Sequence, residues 1–280
     1  MPVLELFMLI LVGALFAGLA GSLLGVGGGV FMIPYLTLVL GIEMHIAISA
    51  SIIGVIATSS GAASVYVRDR VTNMRLGMFL EVGTTSGALV GSFLALLLAP
   101  GLLQMVFGAI LPLAAYLMLK ERKEVDAGIP DSTVSRRLDI SGEYYDERDG
   151  KTHRYVPQRP ATGFGVSVGA GVASGMLGVG GGFIKVPAMN ILMRVPMKVA
   201  VATSNFMIGV TAAASALVYF YRGSVDLTVS TAVVIGVLFG SMIGARSMTK
   251  MRGLTLKRAF AVLLLVISIV MILKGLGVIQ

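Results

Sequence analysis

The sequence predicts an all-α integral membrane protein built from two homologous helical repeats. Hydrophobic residues make up 56% of the 280 positions and charged residues only 13%, and the mean hydropathy is +0.91. Apolar stretches of roughly 20 residues, enough to cross about 30 Å of hydrocarbon, recur along nearly the whole chain. A string of glycines occurs twice. This composition excludes a soluble globular domain, and the long apolar stretches favour a helical bundle over a β-barrel.

The repeated string is GVGGG, at Gly25–Gly29 and again at Gly178–Gly182. A shift of 153 residues pairs residues 25–91 with residues 178–244 without a gap and gives 16 identities. The identical pairs include Pro34 and Pro187, Ser51 and Ser204, and Tyr66 and Tyr219. An internal duplication is the simplest explanation. Glycines at every fourth position later in each copy are interpreted as helix-packing surfaces.

The chain divides into a first transmembrane repeat at residues 1–120, a hydrophilic linker at residues 121–160 and a second repeat at residues 161–280. Each repeat contains a similar series of apolar segments. In the first repeat they are Val3–Leu24, Val30–Gly41, Ile46–Val67, Leu76–Ala99 and Leu102–Leu119. The segment after each GVGGG string is too short for a full crossing, which predicts a short or broken helix. The first segment lacks the basic flank of a cleaved signal peptide and is interpreted as a membrane helix.

Positive charges predict that the two repeats are inverted. In the first repeat the basic residues lie between the third and fourth segments and after the fifth, whereas in the second they lie between the second and third and between the fourth and fifth. Because cytoplasmic loops carry the excess of Lys and Arg, equivalent loops should face opposite sides of the membrane. An odd number of crossings per repeat and a pseudo-two-fold axis in the membrane plane satisfy this pattern.

The linker at residues 121–160 falls on the cytoplasmic side in this arrangement. Two β-prone runs flank Asp149 and Gly150 within it, which predicts a short hairpin. With Lys120 included, it holds nine acidic and nine basic residues. We therefore favour a solvated connector over a regulatory or partner-binding element.

The GVGGG strings are candidate anion-binding loops. Consecutive glycines can turn several backbone N–H groups into one concavity, and the helix that follows adds the positive end of its dipole. In an inverted repeat the two loops would approach a shared central site. The predicted binding glycines are Gly25, Gly27, Gly28, Gly29, Gly178, Gly180, Gly181 and Gly182. A tight turn with no ligand is the alternative; a nucleotide fingerprint is excluded because its third glycine and the following GKS or GKT are missing.

Several polar residues in apolar segments are candidate site residues. Lys185 lies three residues past the second glycine string, where an unpaired lysine costs about 2.5 kcal/mol or more, and its counterpart in the first repeat is Met32. The predicted hydrogen-bonding residues are Ser51, Thr203, Ser204 and Asn205. Serine and threonine often bond their own helix instead. Lys185 could alternatively extend its charge to an interface.

Glu81 is the only acidic residue well inside a predicted span. Burial raises the pKa of a carboxyl group, so Glu81 is a candidate proton carrier. The alternative is a structural ion pair with Arg75 or Lys185. Metal and cofactor sites are not predicted, because the chain has no cysteine and only His45 and His153 as histidines.

Both halves of the chain resemble the TauE/SafE family of permeases, the sulfite, sulfonate and toluenesulfonate transporters. The resemblance rests on SGMLGVGGGFIKVPAM with KVAVATSN in the second half, and on GSLLGVGGGVFMIPYL with HIAISAS in the first. It implies a duplicated permease that moves sulfur-containing anions or small carboxylates.

The predicted function is that of a multi-pass secondary transporter in the cell (inner) membrane. Its expected substrates are small sulfur-containing oxyanions of the sulfite, thiosulfate, sulfonate or sulfo-carboxylate class, moved by alternating access around the two GVGGG loops. The expected partners are the anion, the lipid bilayer and, through Glu81, protons; nucleic acid is not expected. A passive anion channel remains an alternative because it needs the same binding physics. An intramembrane enzyme is disfavoured, since the spans hold no cysteine, no histidine pair and one deep carboxylate.

Overall fold

The structure is a computed structural model, and it describes residues 3–119, 135, 137–146, 150–248 and 253–278. It is predominantly helical, as the sequence predicts. In the first half the helices are α1 (Val3–Leu24), α2 (Gly29–Pro34), α3 (Met44–Arg68), α4 (Met74–Leu97) and α5 (Pro100–Leu119). In the second half they are α6 (Pro160–Leu177), α7 (Gly182–Pro187), α8 (Met197–Tyr221), α9 (Leu227–Met248) and α10 (Gly253–Gly275).

Among the described residues, five helices are long and apolar enough to cross a membrane. They are α1, α3, α4, α8 and residues Leu227–Ser247 of α9. The expectation of an all-α membrane protein is thereby confirmed. The predicted bounds of α1, α3, α4 and α5 agree with the observed ones to within two residues.

Helices α2 and α7 are only six residues long, and each continues into a five-residue π-helix, Tyr35–Val39 and Ala188–Leu192. Each π-helix starts directly after a proline, Pro34 or Pro187. A proline has no N–H to donate to the carbonyl four residues earlier, so the α-helical hydrogen bonding is interrupted there. Tyr35 donates from its hydroxyl to the Leu9 carbonyl at 2.8 Å. This first broken helix therefore runs back along α1 toward its start.

Long helices pack through glycine, with α1 against α9 and α4 against α6. A Cβ atom added at Gly240 would lie 2.0 Å from the Leu15 carbonyl oxygen, and one at Gly87 would lie 2.2 Å from that of Val168. No larger residue fits there without moving a helix. The glycines thus let two backbones approach directly, which is how helices associate in lipid.

A β-hairpin lies in the segment between the two halves. Strand β1 (Gly142–Asp146) pairs antiparallel with β2 (Lys151–Tyr155). Gly150, in the turn, has a φ of 66°, in the left-handed region that favours glycine. Asp149, the other predicted turn residue, and residues 120–134 of the chain lie outside the described residues.

Candidate functional site

The two GVGGG loops contact each other at the centre of the bundle. A Cβ atom at Gly29 would lie 2.5 Å from the Gly178 carbonyl oxygen, and one at Gly182 would lie 2.1 Å from that of Gly25. Gly27 and Gly180 both face the side chains of Val55 and Ile208. The loops are therefore closed on each other, backbone against backbone.

One hydrogen bond ties each loop to a helix of the opposite half. Ser51 donates from its hydroxyl to the Gly178 carbonyl at 2.9 Å, and Ser204 donates to the Gly25 carbonyl at 3.0 Å. The two bonds are equivalent by the repeat spacing. Ser204 lies 153 positions after Ser51, and Gly25 lies 153 positions before Gly178. Both hydroxyls, predicted as anion ligands, donate to loop carbonyls in this conformation.

Glycine is required in both loops by backbone conformation as well as by space. The glycines with positive φ are Gly25 (69°), Gly27 (89°), Gly28 (73°), Gly178 (68°), Gly180 (77°) and Gly181 (69°). Residues that carry a side chain rarely adopt these backbone angles. The residues that precede α2 and α7, Gly28 and Gly181, supply no side-chain cap, so the first amides of each short helix have no side-chain acceptor.

Lys185 and Glu81 form a buried ion pair beside the second loop. Lys185, on α7, is 1% exposed, and its amine donates to the Thr211 hydroxyl at 3.0 Å. The amine nitrogen lies 3.9 Å from Oε2 of Glu81, a residue of α4. A charge this deep in an apolar bundle persists only with a partner. The pair thus joins three helices, since Thr211 belongs to α8.

Three threonine hydroxyls surround the Glu81 carboxylate. Thr84 donates to Oε2 at 2.7 Å, Thr85 to Oε1 at 2.8 Å and Thr211 to Oε1 at 2.6 Å. The sequence analysis missed all three threonines. Thr84 and Thr85 were detectable because residues three and four positions along a helix face the same side as Glu81. Thr211 was detectable as one of the identities between the repeats, with Thr58.

Two further predicted residues bind elsewhere. The Thr203 hydroxyl accepts a hydrogen bond from the Asn73 backbone N–H at 3.0 Å, at the start of α4. The Asn205 side-chain nitrogen donates to the carbonyls of Ser22 at 3.3 Å and Val201 at 3.0 Å. The side-chain oxygen of Asn205 is buried and has no hydrogen-bond partner. None of these hydrogen bonds involves Lys185 or Glu81. Arg75, the other suggested partner for Glu81, pairs with Asp139 instead.

The space next to the loops is apolar. A pocket between the loops and α5 is lined by Val30, Phe107, Leu111, Val179 and Phe183, among others of the same character. It offers no polar group to an oxyanion. In the described part of the chain, no group of three or more His, Cys, Asp or Glu residues could hold a metal ion.

A bundle of apolar spanning helices, with a buried ion pair beside two broken helices, has the arrangement of a membrane transporter. The family model for "Sulfite exporter TauE/SafE" matches residues 9–271. The chain therefore belongs to the sulfite exporter TauE/SafE family, as its resemblance indicated.

Relatives of this chain carry transporter names. The probable membrane transporter protein YunE of Bacillus subtilis is 28% identical over 277 residues, which cover 96% of this chain and 98% of YunE. A probable membrane transporter protein of Xylella fastidiosa is 26% identical, with 92% of each chain covered. MamO of Magnetospirillum gryphiswaldense is 23% identical over 92% of this chain but only 44% of MamO. No solved structure matches the chain.

Proposed function

We propose that this protein is a secondary transporter of small sulfur-containing oxyanions, of the sulfite, thiosulfate, sulfonate or sulfo-carboxylate class, in the cell (inner) membrane. The observation that carries the proposal is the buried pair of Lys185 and Glu81 beside a GVGGG loop. An intramembrane ionisable pair marks a substrate or proton path by default. The family description names sulfite export, and the relative YunE is named a probable membrane transporter protein, which supports transport.

The two halves act as inverted repeats around the paired loops in this proposal. The reciprocal hydrogen bonds of Ser51 and Ser204 support a two-fold relation between the halves. Because the loops are closed on each other, an anion reaches their first-turn amides only when they separate. Separation breaks both serine hydrogen bonds and exposes the loop to one side at a time, which is alternating access.

Lys185 supplies the positive charge for the anion, and Glu81 competes for it. While Glu81 is ionised it neutralises the amine, and the anion has no free cation to bind. Protonation removes the negative charge of Glu81, and Lys185 is then free to pair with the anion. One proton and one anion therefore enter together, so low pH favours binding.

In the described part of the chain, the side chains that hydrogen-bond to this pair are uncharged. Helix α6, which packs along α4, contains no charged residue, and the charged residues Arg75 of α4 and Lys198 of α8 lie in the first turns of their helices. The neighbours from α4 and α8 are Thr84, Thr85 and Thr211. The pH dependence of anion binding is therefore assigned to Glu81.

The test is sulfite flux into proteoliposomes at imposed pH gradients. We expect Lys185→Met to abolish flux, while Arg222→Met, at an exposed arginine directly after α8, leaves it unchanged. Flux that persists in the Lys185→Met protein would contradict the role of Lys185. Flux that follows only electrodiffusion of the anion, with no response to the pH gradient, would identify a passive channel instead.

A further inference from the structure

We propose that the β-hairpin is a gate that closes one end of the transport path, so that the site opens to that side only when the hairpin leaves the helices. The inference rests on the proposed transport function. It uses a different part of the molecule: the hairpin strands Gly142–Asp146 and Lys151–Tyr155, and Ile140, two residues before the first strand. No GVGGG residue takes part in it.

The hairpin segment shares a buried apolar cluster with residues next to the ion pair. Ile140 is 1% exposed and Tyr144 is 4% exposed, although both belong to the hydrophilic linker. They share one buried cluster with Leu80 and Val186. Those two residues are the chain neighbours of Glu81 and Lys185. An apolar layer between solvent and a buried ion pair keeps water and ions out, and here the hairpin supplies part of it.

Asn73 is the main polar attachment of the hairpin. Its amide nitrogen donates to the Ile140 carbonyl at 2.9 Å and to the Tyr155 hydroxyl at 3.0 Å. Its side-chain oxygen accepts from the Leu76 N–H at 3.0 Å and caps α4, the helix that carries Glu81. Burial raises the pKa of Tyr155 to about 12, so the hydroxyl stays neutral at physiological pH. One side chain thus joins the hairpin to the helix of the proton carrier.

Further contacts join the hairpin segment to the end of the second broken helix. The Gln158 backbone N–H donates to the Met193 carbonyl at 2.8 Å, and Met193 lies in the same apolar cluster as Tyr144. Arg75, in the first turn of α4, pairs with Asp139. In the part of the chain that the structure describes, strands occur only in this hairpin. The proposed gate therefore lies at the end of the bundle where α4 begins.

The gate is tested by thiol labelling, because the chain has no native cysteine. Val186→Cys places a thiol in the buried cluster to which Ile140 and Tyr144 belong. Ile33→Cys places a thiol at the matching position 153 residues earlier. Asn73→Ser retains an oxygen to cap α4 but is too short to reach the hairpin. We expect Asn73→Ser to speed maleimide labelling of Val186→Cys at least fivefold in detergent at fixed pH, with no change at Ile33→Cys. Equal rates at Val186→Cys with and without Asn73→Ser would overturn the gate.

Labelling needs no substrate, so wild-type protein that fails to move sulfite would count against the proposed function and leave the labelling result intact.

Discussion

The surroundings of Lys185 and of Met32, residues 153 positions apart, show what the duplication kept and what it changed. Both residues follow a GVGGG loop, lie on a six-residue helix before a proline and are 1% exposed. Around Lys185 the structure gathers a carboxylate and three threonines. The residues 153 positions from Glu81, Thr84 and Thr85 are Val234, Val237 and Leu238, and Met32 belongs to an apolar cluster with Val237.

Only Thr211 has a matching threonine, Thr58, and that hydroxyl donates to the Gly54 carbonyl of its own helix at 3.0 Å. The loop geometry is therefore present twice and the charge chemistry once. In the proposed mechanism the loops therefore serve both halves, while the charged group that binds the anion belongs to one half. The predictions below test that division.

The largest expected effect comes from replacing the members of the ion pair with the residues 153 positions away. Lys185→Met leaves the Glu81 carboxylate buried without a cation, which should lower the free energy of unfolding by about 3–5 kcal/mol. Adding Glu81→Val removes the second charge, and replacing a whole buried pair with apolar residues is often neutral. The double variant should therefore regain most of the stability but carry no sulfite. Unfolding in detergent micelles measures this, and equal stability of the single and double variants would contradict the ion pair.

Overfilling the loop contact should have the next largest effect. Gly182→Ala places a methyl group 2.1 Å from the Gly25 carbonyl oxygen, and such overpacking destabilises by about 1–3 kcal/mol. Gly169→Ala on α6 is the matched control, since an added Cβ there meets nothing within 4 Å. Its expected effect on thermal unfolding is neutral or slightly stabilising. If both variants melt alike, the loops do not pack as described.

Glu81→Gln should change the pH dependence of sulfite binding. Glutamine is uncharged at every pH and leaves Lys185 permanently free for an anion, so sulfite binding should lose its rise toward low pH. At neutral pH the apparent affinity should increase roughly fivefold to tenfold, a typical coupling between two sites. Thermal stabilisation by sulfite, measured across pH, reports both changes. A normal pH response in the Glu81→Gln protein would exclude Glu81 as the proton carrier.

The smallest effect should come from the two reciprocal serines. Ser51→Ala and Ser204→Ala each remove one hydrogen bond to a loop carbonyl, a loss of about 1 kcal/mol. Equal losses are expected, because the two bonds have nearly the same length and burial. Ser60→Ala is the control, since the exposed Ser60 bonds only the Ile56 carbonyl of its own helix. Clearly unequal losses would count against a two-fold relation between the loops.

The sequence predicted the helices and individual site residues better than it predicted their partners. Bounds of the long helices followed from apolar length, and the broken helices followed from a proline just past a glycine string. Lys185 and Glu81 were both selected, because a charge inside an apolar span is conspicuous. Their pairing remained one of two options, since residues 104 positions apart carry no spacing signal. Thr203 was predicted together with Ser204 as a hydrogen-bonding site residue, yet its hydroxyl accepts from the Asn73 backbone N–H at the start of α4.

The linker is a second region whose contacts the sequence did not predict. Its balanced charge favoured a solvated connector, yet Ile140 and Tyr144 are buried against the helices. The charge composition describes the linker as a whole. The packing of the hairpin on the helices depends instead on Ile140, on Tyr144 and on Asn73, which lies outside the linker.

The sequence by itself determined the membrane class, the places where helices break and the presence of one buried cation and one buried anion, and it indicated a duplication. These follow from hydropathy, repeat spacing and the chemistry of glycine and proline, which act locally along the chain. Only the tertiary structure decided that Lys185 meets Glu81 through Thr211, that the serines bond the opposite loops and that the hairpin packs against the helices at Asn73. Such contacts join distant helices, and their geometry depends on how glycine faces let those helices approach.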